Sequence, residues 1–326
     1  MGYRITHGTG DIRAFADSDS ASFNFGRACS PAPLWTGILC CTMPELSQQI
    51  EAALGQAPAS LSPLAGGCVG DVQTAMLADG SRVVVKVDAS AEPSLEIEGF
   101  MLSYLARESS LPVPRVLHVD ERLLIMTHVA GSSTFDAPAQ RHAAELLAEL
   151  HAVTAPRAGL DRDTLIGSLH QPNPWTESWV AFFAAHRLVY MADEAARAGR
   201  LPADLAARVH ALAGRLDGLL DEPDAFSLVH GDVWSGNVLA EPGRITGFID
   251  PAIYYAHPEV ELAFITLFNC FGQPFFDRYH ELRPIAAGFF ESRRRVYNLY
   301  PLLVHVRLFG GGYVQQVSST LSDLRF

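Results

Sequence analysis

Asp232 and Asn237 stand five positions apart in the segment Leu228-Val229-His230-Gly231-Asp232-Val233-Trp234-Ser235-Gly236-Asn237-Val238-Leu239. A second carboxylate, Asp250, closes the mostly apolar run Ile245-Thr246-Gly247-Phe248-Ile249. Together these residue types suit phosphoryl transfer. One aspartate orients the attacking hydroxyl, while an asparagine oxygen and a further carboxylate hold Mg²⁺. Alone, an Asp and an Asn at this spacing would mean nothing. Here an apolar lead-in places them on a loop, His230-Gly231 precede, and Asp250 follows a short strand. His230 reads as a scaffold hydrogen-bonder rather than a proton carrier, because Asp232 already supplies the carboxylate. Trp234 reads either as core or as a wall of the acceptor pocket.

A cation for the phosphates comes from Lys86, which lies inside the β-branched run Arg82-Val83-Val84-Val85-Lys86-Val87. Charge in such a run is costly unless it is paired or used. Glu98, in the following helix, is the expected partner and Glu96 the competitor. Gly66-Gly67-Cys68-Val69-Gly70 sits between two strand patterns, where bare backbone can close over phosphates. It also fits an ordinary glycine-rich turn. The segment is not a Walker loop, since no Gly-Lys-Ser/Thr follows and no helix opens there. Asp250 is followed by Pro251-Ala252 rather than Phe-Gly, so an activation-loop switch of the protein-kinase type is absent. That favours a small-molecule acceptor. Glu259 and Glu261, after His257-Pro258, read as first-turn acids of a helix.

The elements that must position these groups are legible as patterns. A helix is expected over 44–57, strands over the stretch to Leu77 and over Arg82–Val87, and an Asp79-Gly80 hairpin between them. A helix from about Leu95 to Arg107 shows an apolar face at Ile97, Met101, Leu102 and Leu105. Val116–Val119 and Leu123–Thr127 read as two more strands. Past residue 132 helices dominate, most clearly His142–Ala152, Trp175–Arg197, Ala203–Leu220 and those after Pro258. The chain therefore reads as α+β: a small β-rich lobe over 43–129 and a larger, mostly helical catalytic and substrate-binding lobe over 130–326.

Bulk composition narrows the function. Of 326 residues, 48% are hydrophobic and 18% charged, which suits a globular enzyme. The net charge of −12 argues against nucleic acid, which needs a concentrated basic surface. Arg293-Arg294-Arg295 reads as a solvated helix face. No apolar run approaches the roughly 20 residues of a membrane span. Five cysteines without a Cys-x-x-Cys pair suggest a reducing, cytoplasmic setting and no zinc site. Residues 1–42 lack periodicity and signal-peptide order, and the pattern changes at Met43. They are expected to be disordered or a non-native extension, with Met43 the physiological start.

From about residue 44 onward the chain resembles the fructosamine kinase, or ketosamine 3-kinase, family. The resemblance rests on Gly66-Gly67-Cys68, Val85-Lys86-Val87, Val113-Pro114-Arg115-Val116, Leu165-Ile166-Gly167-Ser168 and Trp175 to Phe183. It continues through His230 to Asn237, Asp250 to Tyr255, His257-Pro258-Glu259, Phe275 to His280 and Leu308-Phe309-Gly310-Gly311. It implies a protein kinase-like two-lobe fold shared with aminoglycoside phosphotransferases, and ATP and Mg²⁺ as cofactors. The implied reaction phosphorylates the third-carbon hydroxyl of a ketosamine, on a small molecule or on a glycated protein lysine. The product is unstable and releases the amine, so the family resembles a deglycation and repair system. Carried over onto this sequence, Asp232 is catalytic and Asn237 and Asp250 hold the metal. Gly66, Gly67, Cys68, Gly70, Lys86, Glu98, Met126 and His128 are assigned to the nucleotide, and Trp234 and His305 to the substrate. The chain departs from the family at Val304-His305-Val306-Arg307, where Asn-His-x-Asn is usual, and at Ala256, where Gly is usual. Those departures bear on which sugar is used. Relatives also share a cysteine at Cys68, which suggests a redox-sensitive loop; the alternative is an inert turn residue. A monomer or a homodimer is expected. The rival readings are a kinase of the aminoglycoside, choline or homoserine type, and a nucleotide-binding pseudokinase.

Overall fold

The computed structural model describes residues 43–64 and 71–326. The glycine-rich segment with Gly66, Gly67, Cys68 and Gly70, and the expected extension 1–42, lie outside the described residues.

The first part is a five-stranded antiparallel sheet flanked by two helices. Helix α1 (Met43–Leu54) leads into β1 (Pro58–Pro63), β2 (Asp71–Leu77) and β3 (Arg82–Val87). Helix α2 (Leu95–Glu108), β4 (Val116–Val119) and β5 (Leu123–Thr127) follow, giving the strand order β1-β2-β3-β5-β4. The turn at Asp79-Gly80 forms as expected: Gly80 has φ +83° and Asp79 accepts from the Ser81 backbone and hydroxyl. Strand β1 was not legible. It begins at Pro58 and ends at Pro63, and proline is tolerated on an edge strand; β1 pairs only with β2.

Alternation along β3 decides where its side chains go. Val83 and Val85 face one side of the sheet and pack with Leu46 and Ile50 of α1. Val84 packs on the opposite side with Leu95 and Leu102 of α2. Lys86 is two residues from Val84, so the period of two points it toward α2. On α2, Glu98 lies three residues after Leu95 and four before Leu102, on the same stripe. Lysine and glutamate are thus forced to one interface by two different periodicities.

The second part is mostly helical. It comprises α3 (Ala137–Leu150), β6 (Thr154–Ala155), the hairpin β7 (Thr164–Ile166) and β8 (Leu169–Gln171), α4 (Trp179–Phe183), α5 (Tyr190–Arg197) and α6 (Ala203–Ala213). Then come β9 (Phe226–Val229), β10 (Val238–Glu241), β11 (Arg244–Phe248), β12 (Tyr254–Ala256), α7 (Glu259–Leu267), α8 (Gln273–Leu282), α9 (Arg294–Phe309) and α10 (Gly312–Asp323). The helix expected from Trp175 starts at Trp179 and passes through a π-helical stretch, Ala184–Val189, before continuing as α5. No helix among the described residues is long and apolar enough to cross a membrane.

Within the arginine run Arg295 is exposed as expected, but Arg293 departs from that role. Arg293 is buried and makes two 2.7 Å hydrogen bonds to the buried carboxylate of Glu259. It ties the start of α9 to α7 instead of facing solvent.

Candidate active site

Strand β9 is fully buried and delivers the chain to the 230–237 loop. The hairpin β10–β11 then returns it to Asp250. Two backbone hydrogen bonds lace the two loops together, and a third ties the end of β11 to Pro112. Ile249 N donates to Asn237 O at 2.9 Å, Ala252 N to His230 O at 2.7 Å, and Phe248 N reaches back to Pro112 O at 2.8 Å. Asp250 sits at φ +52°, an uncommon conformation for a residue with a side chain. Strain of this kind persists where surrounding contacts over-determine it, and it concentrates at functional sites.

Lys86 Nζ meets Glu98 Oε1 at 2.7 Å and Asp250 Oδ1 at 2.6 Å. Glu96 is exposed, so the choice between the two glutamates falls to Glu98. Burial would lower the Lys86 pKa, but the two carboxylates outweigh it and hold the ammonium well above its ordinary value. Burial, reinforced by Asp250, raises Glu98 despite the lysine. The cluster carries one cation against two carboxylates, and an incoming phosphate would compete for that cation.

Asn237 serves its neighbours through one end of its amide. Nδ2 donates to Asp232 Oδ2 at 2.8 Å and to Asp232 O at 3.1 Å. Nδ2 also reaches Asp250 O at 3.5 Å, which puts the amide next to Asp250. Mg²⁺ is commonly held by one or two protein oxygens together with substrate phosphates. An amide oxygen and a carboxylate match that donor set. Among the described residues no group of three or more His, Cys, Asp or Glu could hold a metal without such help.

Burial first, then the negative charge of Asp250, pushes Asp232 up to about 8; the Asn237 hydrogen bond opposes this and Glu261 adds to it. A carboxyl poised there exchanges its proton close to neutrality. His230 behaves as expected of a scaffold residue. It is fully buried, burial lowers its pKa, and its Nδ1 accepts from Asp232 N at 3.3 Å.

Gly231 has φ +85°, and a Cβ there would stand 2.1 Å from Ala252 O. A Gly231→Ala variant should therefore lose at least about 1–3 kcal/mol of stability, with activity falling alongside. Urea unfolding and initial rates would check this, and a wild-type midpoint would contradict it.

The loops rest on supports that pattern reading missed. Glu261 is buried and is not a capping acid. Its Oε1 accepts from Gly231 N at 2.7 Å, and its Oε2 accepts from His151 Nε2 at 2.9 Å. With that proton on Nε2, His151 Nδ1 accepts the Tyr279 hydroxyl at 2.6 Å. Glu259 is likewise buried and committed to Arg293. On the other side, Gln171 Nε2 donates to Ala252 O at 3.1 Å, and its Oε1 accepts from Tyr300 at 2.7 Å. Arg187, fully buried, donates to Asn173 Oδ1 at 2.7 Å and stacks on Tyr254 at 3.9 Å. Buried polar groups of this kind stabilise only when satisfied, which is why they form connected sets.

The remaining assigned residues fall in two places. Met126 is buried on the α2 side of the sheet, and half-buried His128 follows β5, its N–H donating to Arg82 O at 3.2 Å. Trp234 covers Gly236, where a Cβ would meet the indole at 2.3 Å. Trp234 also meets Phe268 edge-on at 6.5 Å, and Phe268 meets His305 at 4.9 Å. Trp234 and His305 are thus joined through Phe268, a residue no motif singled out.

Comparison with known proteins gives the family and the fold. A profile of the fructosamine kinase family matches residues 42–325. A probable ketoamine kinase of Synechocystis is 35% identical over 90% of this chain and 97% of its own length. The chloroplastic protein-ribulosamine 3-kinase of Oryza sativa subsp. japonica is 32% identical over 81% of this chain and 78% of its own. A solved structure from Thermobifida fusca, assigned as a fructosamine-3-kinase, superposes with a TM-score of 0.76 at 30% identity, covering 86% of this chain and 99% of that one. The aminoglycoside phosphotransferase APH(4)-Ia, solved with ADP and hygromycin B, gives a TM-score of 0.61 at 18% identity over 85% and 98%, a likeness of fold.

Proposed function

The chain belongs to the fructosamine kinase family, and we propose that it is an ATP-dependent ketosamine 3-kinase whose catalytic residue is Asp232. The observation that carries the reading is the convergence of Lys86, Glu98 and Asp250 with Asp232 and Asn237 on two laced loops. Lys86, held by Glu98, leaves Asp250 to contact the nucleotide phosphates. Asn237 Oδ1 and Asp250 would hold Mg²⁺, which neutralises charge developing on the phosphates. Asp232, fixed by the Asn237 amide, orients the acceptor hydroxyl and takes its proton. Positioning and electrostatics supply most of the rate in such a transfer. Trp234 and His305 border the acceptor. The acceptor is a ketosamine, free or on a protein lysine, and the reaction belongs in the cytoplasm, where unpaired thiols stay reduced.

A panel assay tests this. Purified protein with Mg²⁺ and ATP should consume ATP with ribulosyl- and fructosyl-lysine and release little ADP with kanamycin, choline or homoserine. Equal turnover of kanamycin would move the reading to the aminoglycoside type. No transfer to any acceptor, with nucleotide still bound, would leave the pseudokinase.

A further inference from the structure

Five aromatic side chains from four separate segments form a continuous row that starts on the catalytic loop. Trp234 touches Phe268 at the end of α7, and Phe268 touches His305 in α9. His305 in turn meets Tyr313 of α10 at 4.8 Å and Phe309 at 5.7 Å. Trp234, Phe268, His305 and Tyr313 are half-buried, so each keeps part of its surface open. Phe309 is 55% exposed, more than any other large hydrophobic side chain among the described residues. Exposed aromatic surface contiguous with a site calls for an occupant.

His305 adds a polar feature to the row. Its Nδ1 sits 2.7 Å from Pro301 O, and a carbonyl can only accept, so Nδ1 carries the proton. Nε2 is then an acceptor. Burial lowers the His305 pKa, so the ring stays neutral beside a cation.

The ketosamine assigned above carries a secondary amine that is protonated near neutrality. Its nitrogen is separated from the phosphorylated carbon by two further carbons, a span of about 4 Å. With the hydroxyl at Asp232, the ammonium falls beside the catalytic loop, where the row begins. Aromatic faces attract such a cation, more strongly when water is excluded.

Resting on the ketosamine reading, we propose that the row Trp234, Phe268, His305, Tyr313 and Phe309 recognises the amine half of the substrate. The ammonium lies against the aromatic faces and donates to His305 Nε2. The substituent on nitrogen runs outward over Tyr313 and Phe309. The sugar is thus read at Asp232 and the amine along the row.

The test compares a ketosamine of benzylamine with the corresponding 1-O-benzyl ketose, which puts a neutral ether oxygen in place of the ammonium, and with the N-methyl ketosamine. Wild-type kcat/KM should favour the amine over the ether about tenfold or more. Tyr313→Leu should shrink that ratio severalfold. Phe309→Ala, at an exposed position, should cut the preference for N-benzyl over N-methyl. Melting curves confirm that each variant is folded. Equal use of amine and ether, or ratios unchanged in both variants, overturns the assignment while leaving ketosamine phosphorylation standing. No turnover of any ketosamine removes both readings. Sedimentation of Phe309→Ala covers the other occupant: a dimer lost with substrate ratios intact would make the row a contact between copies and overturn the proposal.

Discussion

Asp232→Ala should lower kcat about 10²–10⁴-fold with a ketosamine acceptor while MgATP still binds, because Lys86, Glu98, Asn237 and Asp250 all remain. Asp232→Asn sharpens the result. Its amide oxygen can still accept from Asn237 Nδ2, which now meets the Asp232 carboxylate at 2.8 Å, so the loop keeps its shape without a proton acceptor. Both variants should therefore fail in turnover and pass in nucleotide binding. Coupled ATP-consumption assays and calorimetric titration with a non-hydrolysable nucleotide would measure the two quantities. Near-normal turnover in either variant would refute the role of Asp232.

Glu261→Ala should cost about 2–6 kcal/mol, roughly 1–3 for each of the two donors it leaves unpaired. Of the donors, Gly231 N–H and His151 Nε2–H, the histidine is buried with Glu261, so water cannot replace its lost acceptor cheaply. Glu261→Gln separates folding from positioning. Glutamine keeps an oxygen for Gly231 but turns a donor toward His151. The imidazole must then shift its proton to Nδ1 and donate to Tyr279. The stability loss should be smaller, yet kcat should fall about 10–100-fold if the loop moves by a fraction of an ångström. Denaturant midpoints and kcat for both variants would decide. Wild-type kcat in Glu261→Gln would mean that the catalytic loop does not depend on this anchor.

Much of the fold was legible because its elements repeat at fixed periods. The β-branched run around Lys86, the apolar face of α2 and the Asp79-Gly80 turn each announce themselves within a few residues. Strand β1 did not, since its prolines carry a local meaning that its edge position reverses. The π-helical stretch Ala184–Val189 has no periodic mark either, and it is where Arg187 leaves the surface.

By itself, the sequence determined the class of chemistry of this protein and the residues we propose to carry it. Side-chain type sets what Lys86, Asp232, Asn237 and Asp250 can do, and short spacings within single loops and strands set where they point. The tertiary structure alone decided what holds those residues still. Glu261 and Glu259 look like ordinary first-turn acids until the partners arrive from 30 and 34 residues away, Gly231 and Arg293. The partner of Tyr300, Gln171, is 129 residues distant. A buried polar group and a solvated one have the same letter in the chain. Only packing removes the water and makes the partner obligatory. The same holds for Phe268, an unremarked aromatic in sequence that the fold places between Trp234 and His305.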